Sequence, residues 1–453
     1  MGVFERGLAA LPAYKSLCGD IRAGRLPAGL TGLGHIHKVL MIHALAATLG
    51  RRSLLLVADE AEATRVCEDL EALGNRPLFL PARDLSLRRV ESTSREYEQM
   101  RLGVLSRMAA EDFDCVVACV DAAAQYTLPP ETLLSHTLRL TAGGPLPVKD
   151  LAVALAAAGY ERCDQIEGPG QFAVRGGILD VYPADCPAPV RIELWGDAVD
   201  TLSYFDLLSQ RRTESLETIS VPPAAEIMYD DPDTLAEKIG ALAAGLRGKN
   251  AAAAKENLLA DAERLRGGGQ PASFDRYIPL IYEKPATLFD YADGALFFVS
   301  EMAKVRERLR TSQWQLQEDI KTLLAEGQLC RGLTDYAMDE AGVLAELERR
   351  GAVLFDTFAP VSYTHLFRAI TRITSSAVRT TATTDQITII RTAPFLSMDI
   401  SFLSGLARGR LSGFLCYCFR RRNTARRICC SAMATRKRIQ ETGQALQRKL
   451  IRR

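Results

Sequence analysis

Long hydrophobic runs are missing from this 453-residue sequence. No stretch of about 18 apolar residues occurs without a charge, and a membrane-spanning helix needs roughly that length. The opening residues, MGVFERGLAALPAY, carry Glu5 and Arg6 where a secretory signal would have its apolar core. The sequence therefore predicts a soluble, cytoplasmic protein with no membrane partner.

Metal-binding patterns are also missing. The chain has 5 histidines and 11 cysteines, and no two cysteines form a C-x-x-C pair. His35 and His37 are two positions apart, which separates them on a helix. The histidine spacing argues against a zinc site. The scattered cysteines predict buried, reduced thiols, and together the two patterns predict no bound metal.

The small net charge of +1 conceals an asymmetry along the chain. Residues 361–453 carry 18 Lys and Arg against 3 Asp and Glu, a net of +15, whereas the preceding 360 residues carry a net of −14. This tail is rich in Thr and Arg and has no clean helical period. We expect residues 361–453 to be a foreign or out-of-frame segment with little structure; a basic nucleic-acid-binding arm is the open alternative.

The first 126 residues alternate between helical and extended patterns. Buried strands are predicted at SLLLVAD (53–59), PLFLP (77–81) and DCVVACV (114–120), with amphipathic helices between them. Such alternation is typical of a parallel sheet covered by helices. The length and the 47% apolar content allow about three domains with real cores.

The pattern changes after residue 126. VKDLAVALAAAGYER (148–162) predicts one helix, and RIELWGDAVDTLSYFD (191–206) predicts a hairpin that turns at Gly196 and Asp197. Gly176 and Gly177 interrupt the strand pattern FAVRGGILDVYP, which suggests a bulge or a close approach of another main-chain segment. We therefore predict a small antiparallel module, followed by helices and by the strands ALFFVSE and AVLFDTF.

A glycine-rich stretch near the N-terminus, AGLTGLGHI, has the frame of a phosphate-binding loop. Gly29, Gly32 and Gly34 are in place, but His35 stands where the loop needs Lys and Ile36 where it needs Ser or Thr. Lys38 lies three residues past the lysine position and is expected to point from another part of the helix. An ordinary Gly-rich turn before a buried helix is equally compatible with the pattern.

A P-loop ATPase also needs a strand that ends in Asp-Glu, because the Asp holds the magnesium shell. The strand ALFFVSE ends in Ser300 and Glu301, and a hydroxyl has far less affinity for magnesium than a carboxylate. Three substitutions together thus predict a nucleotide-binding fold without its catalyst. The predicted degenerate site consists of Gly29, Gly32, Gly34, His35, Ile36, Ser300 and Glu301.

Several segments together resemble a known family. FAVRGGILDVYP and VRIELWGDAVDTLSYFDLLSQRRT are similar to the UvrA-interaction domain shared by UvrB and the transcription-repair coupling factors (the Mfd family). The RGGILD sequence is more similar to the coupling factors than to UvrB. Three further segments resemble the amino-terminal region of the coupling factors: FLPARDLSLRRVESTSREYEQMRL, VVACVDAAAQYTLPP and TLFDYADGALFFVSEMAKVRERL. The resemblance covers roughly residues 5–358.

The resemblance implies an α/β fold: a degenerate P-loop, helicase-like (RecA-like) parallel-sheet domain with an inserted small α+β UvrA-interaction domain. It implies a fragment of the family protein that recruits UvrA in nucleotide excision repair of transcribed DNA, and no catalytic residues or cofactor here. In the family, ATP and magnesium are bound, and RNA polymerase and DNA are engaged, by later domains that these residues do not include. The expected ranges are 1–126 and 211–315 for the helicase-like domain, 127–210 for the insertion, 316–360 for the start of a further α/β domain, and 361–453 for the tail.

Docking to UvrA would depend on arginine and aromatic side chains of the insertion, the residue types that dominate protein interfaces. The candidates are Arg162, Phe172, Arg175, Tyr182 and Arg191. Arg175 is the first choice because a break at Gly176 and Gly177 could project it outward, although it could simply satisfy a local acidic group. Strand alternation makes Phe172 a core candidate as well.

Two other functions stay open at this point. A UvrB-type ATP-dependent repair subunit has the same first domains, but it should keep an intact P-loop and a long tyrosine-rich hairpin, and residues 81–100 hold one aromatic, Tyr97. A basic-tailed nucleic-acid-binding protein would instead depend on residues 361–453.

Overall fold

The structure is a computed structural model of the whole chain. It describes residues 3–85, 87–88, 95–145, 148–196, 198–229, 231–248, 250–269, 271, 273–358, 386–390 and 396–399. The chain divides into two compact units, and the described residues up to 358 all belong to the first of them. Apart from two short strands, the tail predicted at 361–453 lies outside the described residues.

The described helices and strands are numbered in chain order. The helices are α1 Val3–Ala9, α2 Pro12–Arg22, α3 His35–Leu49, α4 Glu60–Ala72, α5 Glu96–Ala109, α6 Val120–Ala124, α7 Pro130–Ser135, α8 Val148–Ala157, α9 Pro232–Gly245, α10 Ala251–Arg266, α11 Ile278–Ile281, α12 Leu288–Tyr291, α13 Met302–Ala325 and α14 Glu340–Arg350. The strands are β1 Ala28–Thr31, β2 Ser53–Val57, β3 Pro77–Leu80, β4 Cys115–Cys119, β5 Leu138–Thr141, β6 Glu161–Arg162, β7 Gln171–Arg175, β8 Ile178–Val181, β9 Val190–Trp195, β10 Ala198–Phe205, β11 Arg212–Leu216, β12 Thr218–Val221, β13 Leu296–Ser300, β14 Val353–Asp356, β15 Gln386–Ile390 and β16 Leu396–Asp399.

A parallel sheet forms the centre of the first unit. Six of its strands follow the order β1-β14-β13-β2-β4-β3, and each neighbouring pair is parallel. Every residue of β2, β4 and β13 is buried, as expected for strands covered on both faces. The predicted strands at 53–59, 77–81 and 114–120 and the parallel sheet are thus confirmed.

One predicted range differs from the structure. Residues 316–360 are expected to begin a further domain, but β14 lies between β1 and β13 and completes the central sheet. Val353 is in register with Ala28 on one side and with Phe298 on the other. A short buried strand far along the chain gives no sequence signal of which sheet it joins, because pairing partners are set by tertiary packing.

A second sheet, with the order β11-β10-β9-β8-β7-β6, forms the predicted small module. All its neighbouring pairs are antiparallel except β6 and β7. The predicted hairpin at residues 191–206 is confirmed as β9 and β10, with Gly196 at a φ of 63°. The chain enters and leaves the module through an antiparallel ribbon in which Leu138 pairs with Val221.

Two local predictions in this module are corrected. The glycine pair is a tight turn between β7 and β8 and does not form a bulge: Arg175 pairs with Ile178, and Gly176 takes a left-handed φ of 61° that glycine adopts without strain. The helix predicted at 148–162 ends at Ala157. Gly159 follows with a φ of 85°, and a Cβ there would come within 2.6 Å of the Ala225 side chain, so the chain turns into β6.

A buried polar cluster joins the small module to the sheet domain. Arg101 of α5 donates to Glu226, which follows β12, at 2.7 Å, and both side chains are 1% exposed. The Thr127 hydroxyl donates to the same carboxylate at 2.8 Å, and Arg83 lies 3.8 Å from it. Burial opposes ionisation of Glu226, but Arg101 and Arg83 hold its pKa below the ordinary value.

Candidate functional site

The predicted degenerate nucleotide site lies at the carboxyl edge of β1, β14 and β13. Gly29 is inside β1, in register with Leu354, and Gly32 turns the chain with a φ of 82°. Gly34 then caps the start of α3. In open α/β sheets, ligands bind at this edge.

The two residues in the lysine and hydroxyl positions do not supply a metal or phosphate ligand to this edge. His35 Nε2 lies 2.8 Å from Asp69 Oδ2 of α4. Ile36 is 47% exposed, and its hydrocarbon side chain has no donor for a phosphate and no lone pair for a metal. His35 and Ile36 therefore contribute neither an ammonium nor a hydroxyl at this edge, and the loss of nucleotide binding stays a prediction.

Lys38 points from α3 to the carboxyl end of β13. Its Nζ donates to Ser300 Oγ at 3.0 Å and to Glu301 Oε1 at 2.6 Å. The lysine side chain is 7% exposed and the glutamate side chain 17%. One turn of helix separates Lys38 from His35, and that turn carries the ammonium to the ends of β13 and β14.

Further hydrogen bonds complete this cluster, which we call the Lys38 lock: Lys38, Ser300, Glu301, Glu62 and Thr357. The Ser300 hydroxyl donates to Glu62 Oε1 at 2.6 Å, and the Thr357 main-chain N–H donates to Glu301 Oε1 at 2.9 Å. Burial raises the pKa of Glu301, but the bonds from Lys38 and Thr357 outweigh it and leave the pKa below its ordinary value. The Lys38 ammonium is thus engaged with protein groups, and the cluster links α3, α4, β13 and the end of β14.

The residues predicted for docking fall into two groups. Arg162 and Arg175 are exposed, and Arg175 Nε donates to the main-chain carbonyl of Asp164 at 3.2 Å. Arg162 is in register with Phe172 in the neighbouring strand. Because Phe172 and Arg175 are three positions apart on one strand, they lie on opposite faces.

The other three candidates mainly support the module from within. Phe172 is 1% exposed, so its ring is part of the core. Tyr182 is half-buried against the small cluster of Ile166, Ala173 and Phe205. Arg191 donates from Nε and Nη2 to the two Asp180 oxygens at 2.7 and 2.8 Å, and it lies 4.4 Å above the Phe205 ring.

Arg191 is held as a cation by these contacts. The Asp180 hydrogen bonds raise its pKa, and burial opposes them only partly. The structure therefore leaves Arg162 and Arg175 as the accessible candidates, and the five residues do not form one continuous surface.

The sequence did not indicate the partners of Lys38 or the exposure of Trp195. The available signals were helical spacing for Lys38 and a large aromatic residue beside a turn for Trp195.

Within the residues that the structure describes, no group of three or more His, Cys, Asp or Glu side chains is arranged to hold a metal ion. In the same residues, no helix is both long and apolar enough to cross a membrane.

Residues 138–227 match the family model of the UvrB interaction domain. This range begins at the first residue of β5 and ends six residues after β12, the two strands that close the small module. The match thus coincides with the module that the backbone forms.

The chain is also similar to curated transcription-repair-coupling factors. That of Bacillus subtilis (strain 168) is 32% identical over 326 residues, which cover 70% of this chain and 28% of the relative. Those of Staphylococcus haemolyticus (strain JCSC1435) and Staphylococcus aureus (strain MRSA252) are each 23% identical over 350 residues, covering 75% of this chain and 30% of the relative. The chain thus spans less than a third of the length of these relatives. It belongs with the N-terminal region of the transcription-repair-coupling factors, and residues 138–227 form its UvrB interaction domain.

Proposed function

We propose that this chain is a non-catalytic module that recruits UvrA in nucleotide excision repair of transcribed DNA. The observation that carries the proposal is the UvrB interaction domain at residues 138–227, which folds as a sheet of its own with both ends closed by β5 and β12. Exposed Arg162 and Arg175 give this sheet cationic side chains that suit carboxylates on a partner. RNA polymerase and DNA would be engaged by regions of the relatives that this chain does not match.

We further propose that the sheet domain is a degenerate P-loop, helicase-like domain that binds no nucleotide. The Lys38 lock supports this view, because the lysine ammonium, Ser300 and Glu301 already satisfy one another. The proposed division assigns residues 1–137 and 228–360 to this domain, with the insertion redefined from 127–210 to 138–227. The inclusion of residues up to 360 follows from the position of β14 in the central sheet.

Arg175→Glu tests the docking surface. It reverses an exposed charge at the end of β7, and we expect UvrA affinity to fall by more than about 2 kcal/mol, or roughly 30-fold, if Arg175 faces a carboxylate. Binding of purified UvrA to the full chain by biolayer interferometry measures the change. Arg264→Glu, at an exposed position of α10, is the charge-matched control and should bind normally. Unchanged affinity of a folded Arg175→Glu chain would remove this residue from the interface.

A thermal-shift measurement with Mg-ATP tests the loss of nucleotide binding and separates this proposal from a UvrB-type ATPase. A ligand at 100 times its Kd stabilises a protein by about 2.7 kcal/mol, which is readily seen as a rise in Tm. We expect no change in Tm at millimolar Mg-ATP. A clear rise that disappears in Lys38→Met would show instead that the site binds nucleotide.

A further inference from the structure

Trp195 is the most unusual exposed residue of the small module. It is the last residue of β9 and is 84% exposed, although this chain contains only 2 tryptophans. Leaving so large an apolar ring in water forgoes the favourable free energy that its burial would contribute. An exposed tryptophan at the end of a well-paired strand therefore points to a partner that covers it.

The neighbouring turns explain why none of the described residues of the module covers this ring. Trp195 pairs with Ala198 across the β9–β10 hairpin, and Gly196 follows it. On its other side, the Leu194 N–H donates to the Gly177 carbonyl at 2.8 Å, so the Gly176–Gly177 turn lies next to Trp195. Alanine and glycine have too little side chain to shield an indole, and both turns end at this edge of the sheet.

Strand register places Trp195 on the same face as Arg175. Arg175 pairs with Ile178, and Ile178 pairs with Glu193. Glu193 and Trp195 are two positions apart on β9, so their side chains share a face. Arg175 is thus two strands, or about 10 Å, from Glu193, and Trp195 lies two residues beyond Glu193. Arg175 and Trp195 are therefore roughly 12 Å apart, with half-buried Ile178 on the strand between them. We call Arg175, Ile178 and Trp195 the turn-end face.

The charges on this face favour an acidic partner surface. Glu193 accepts from the Thr201 hydroxyl at 3.0 Å and forms an ion pair with Arg212, so its negative charge is compensated within the sheet. Arg175 contributes an exposed positive charge, and the Nε contact described above goes to an uncharged carbonyl. The face thus combines an aromatic ring, an aliphatic side chain and a cation.

We infer that Trp195 is the aromatic anchor of the UvrA interface, and this inference rests on the proposed function. Tryptophan and arginine are the residues most enriched among energetic hot spots at the centre of protein interfaces. The ring fills an apolar recess of UvrA, and Arg175 pairs with a carboxylate at the rim of that recess. Arg162 is on the opposite side of the module sheet and lies outside this contact.

The first test compares the two tryptophans of the chain. In the full chain, Trp195→Ala should weaken UvrA binding by 30-fold or more, whereas Trp314→Ala should change it by less than about twofold. Trp314 is the matched control because it is 61% exposed on α13, in the sheet domain. Since the Trp195 ring has few contacts to lose, Trp195→Ala should keep the circular dichroism spectrum and Tm of the parent chain.

The second test observes the ring directly. The full chain carrying Trp314→Phe has Trp195 as its sole tryptophan, and 5-fluorotryptophan labelling gives it a single ¹⁹F signal. Unlabelled UvrA should change the chemical shift of that signal, while the reciprocal Trp195→Phe chain, labelled at Trp314, should broaden without a shift.

Four outcomes would overturn the inference. UvrA binding by Trp195→Ala at parental affinity, or an unchanged Trp195 ¹⁹F shift in the complex, would remove Trp195 from the interface while leaving UvrA recruitment in place. A parent chain that does not bind UvrA would overturn the proposed function and the inference together. Loss of self-association in Trp195→Ala, measured by analytical ultracentrifugation with UvrA affinity unchanged, would assign the face to a second copy of this chain.

Discussion

At the scale of single residues, the most informative side chain is Lys38. It is a buried cation whose partners, Ser300 and Glu301, lie more than 260 positions away in the sequence. Helical spacing gives the direction in which a side chain leaves its own helix, but it does not reveal which strand end lies opposite. The glycine-rich turn before α3 could thus be inferred from the sequence, whereas the contacts of Lys38 with the end of β13 could not.

The Lys38 lock leads to a prediction about stability. Lys38→Met leaves Glu301 partly buried without its cation, and we expect the free energy of unfolding to fall by about 3 kcal/mol. The double variant Lys38→Met with Glu301→Gln should recover most of that loss, because it removes the unpaired charge as well. Urea unfolding of the four proteins of this cycle measures both effects.

A matched lysine separates the ion pair from a general effect of removing charge. Lys304 is exposed on α13, and Lys304→Met should change the free energy of unfolding by less than about 0.5 kcal/mol. If Lys38→Met costs no more than this control, the Lys38 lock contributes nothing to stability.

At the scale of elements, the sequence predicted those whose pattern is local. The buried strands β2, β3 and β4 and the β9–β10 hairpin follow from apolar runs and turn residues. The place of β14 in the central sheet and the β5–β12 ribbon did not follow, because both depend on contacts between distant segments. The same limit applies to Arg191, whose Asp180 partner is identified only by strand register.

Gly103 of helix α5 packs closely against the small module. A Cβ built on Gly103 would lie 2.6 Å from the main-chain oxygen of Ala184, which belongs to the module. Gly103→Ala should therefore destabilise the chain by about 1–3 kcal/mol, since the contact is with backbone and the module must shift to relieve it. Limited proteolysis should also cut the segment around Asp185 faster if the module is displaced.

Gly240 provides the control for this substitution. It lies inside α9, and a Cβ there would meet no atom within 4 Å. Gly240→Ala should be neutral or should stabilise the helix by up to about 1 kcal/mol, because alanine has the higher helix propensity. Equal effects of the two substitutions on urea unfolding would show that Gly103 is not a close-packing position.

At the scale of the whole molecule, buried carboxylates join the two sheets and give stability a pH dependence of two signs. Glu226 and Glu301 have pKa values below their ordinary range in the folded state. Their contribution is complete above the unfolded pKa and is lost as the pH falls through the folded pKa. Asp185 behaves in the opposite way, because burial raises its pKa to about 6 and the folded state then holds a proton that the unfolded state releases.

The free energy of unfolding is therefore expected to pass through a maximum as the pH is raised. The free energy of unfolding should rise between about pH 3 and 5, as Glu226 and Glu301 ionise in the presence of their cations, and Asp185 should then lower it by on the order of 2 kcal/mol as the pH rises toward 7. Asp185→Asn keeps the shape of the side chain and cannot ionise. Its free energy of unfolding should therefore still rise at acidic pH but should not fall as the pH increases toward 7. Urea unfolding of both proteins at half-unit pH steps measures the difference, and equal declines above pH 5 would mean that another group causes this decline. The rise at acidic pH in turn depends on Arg101 and Lys38. A flatter rise in Lys38→Met with Glu301→Gln would therefore assign part of the stability of the sheet domain to the Lys38 lock.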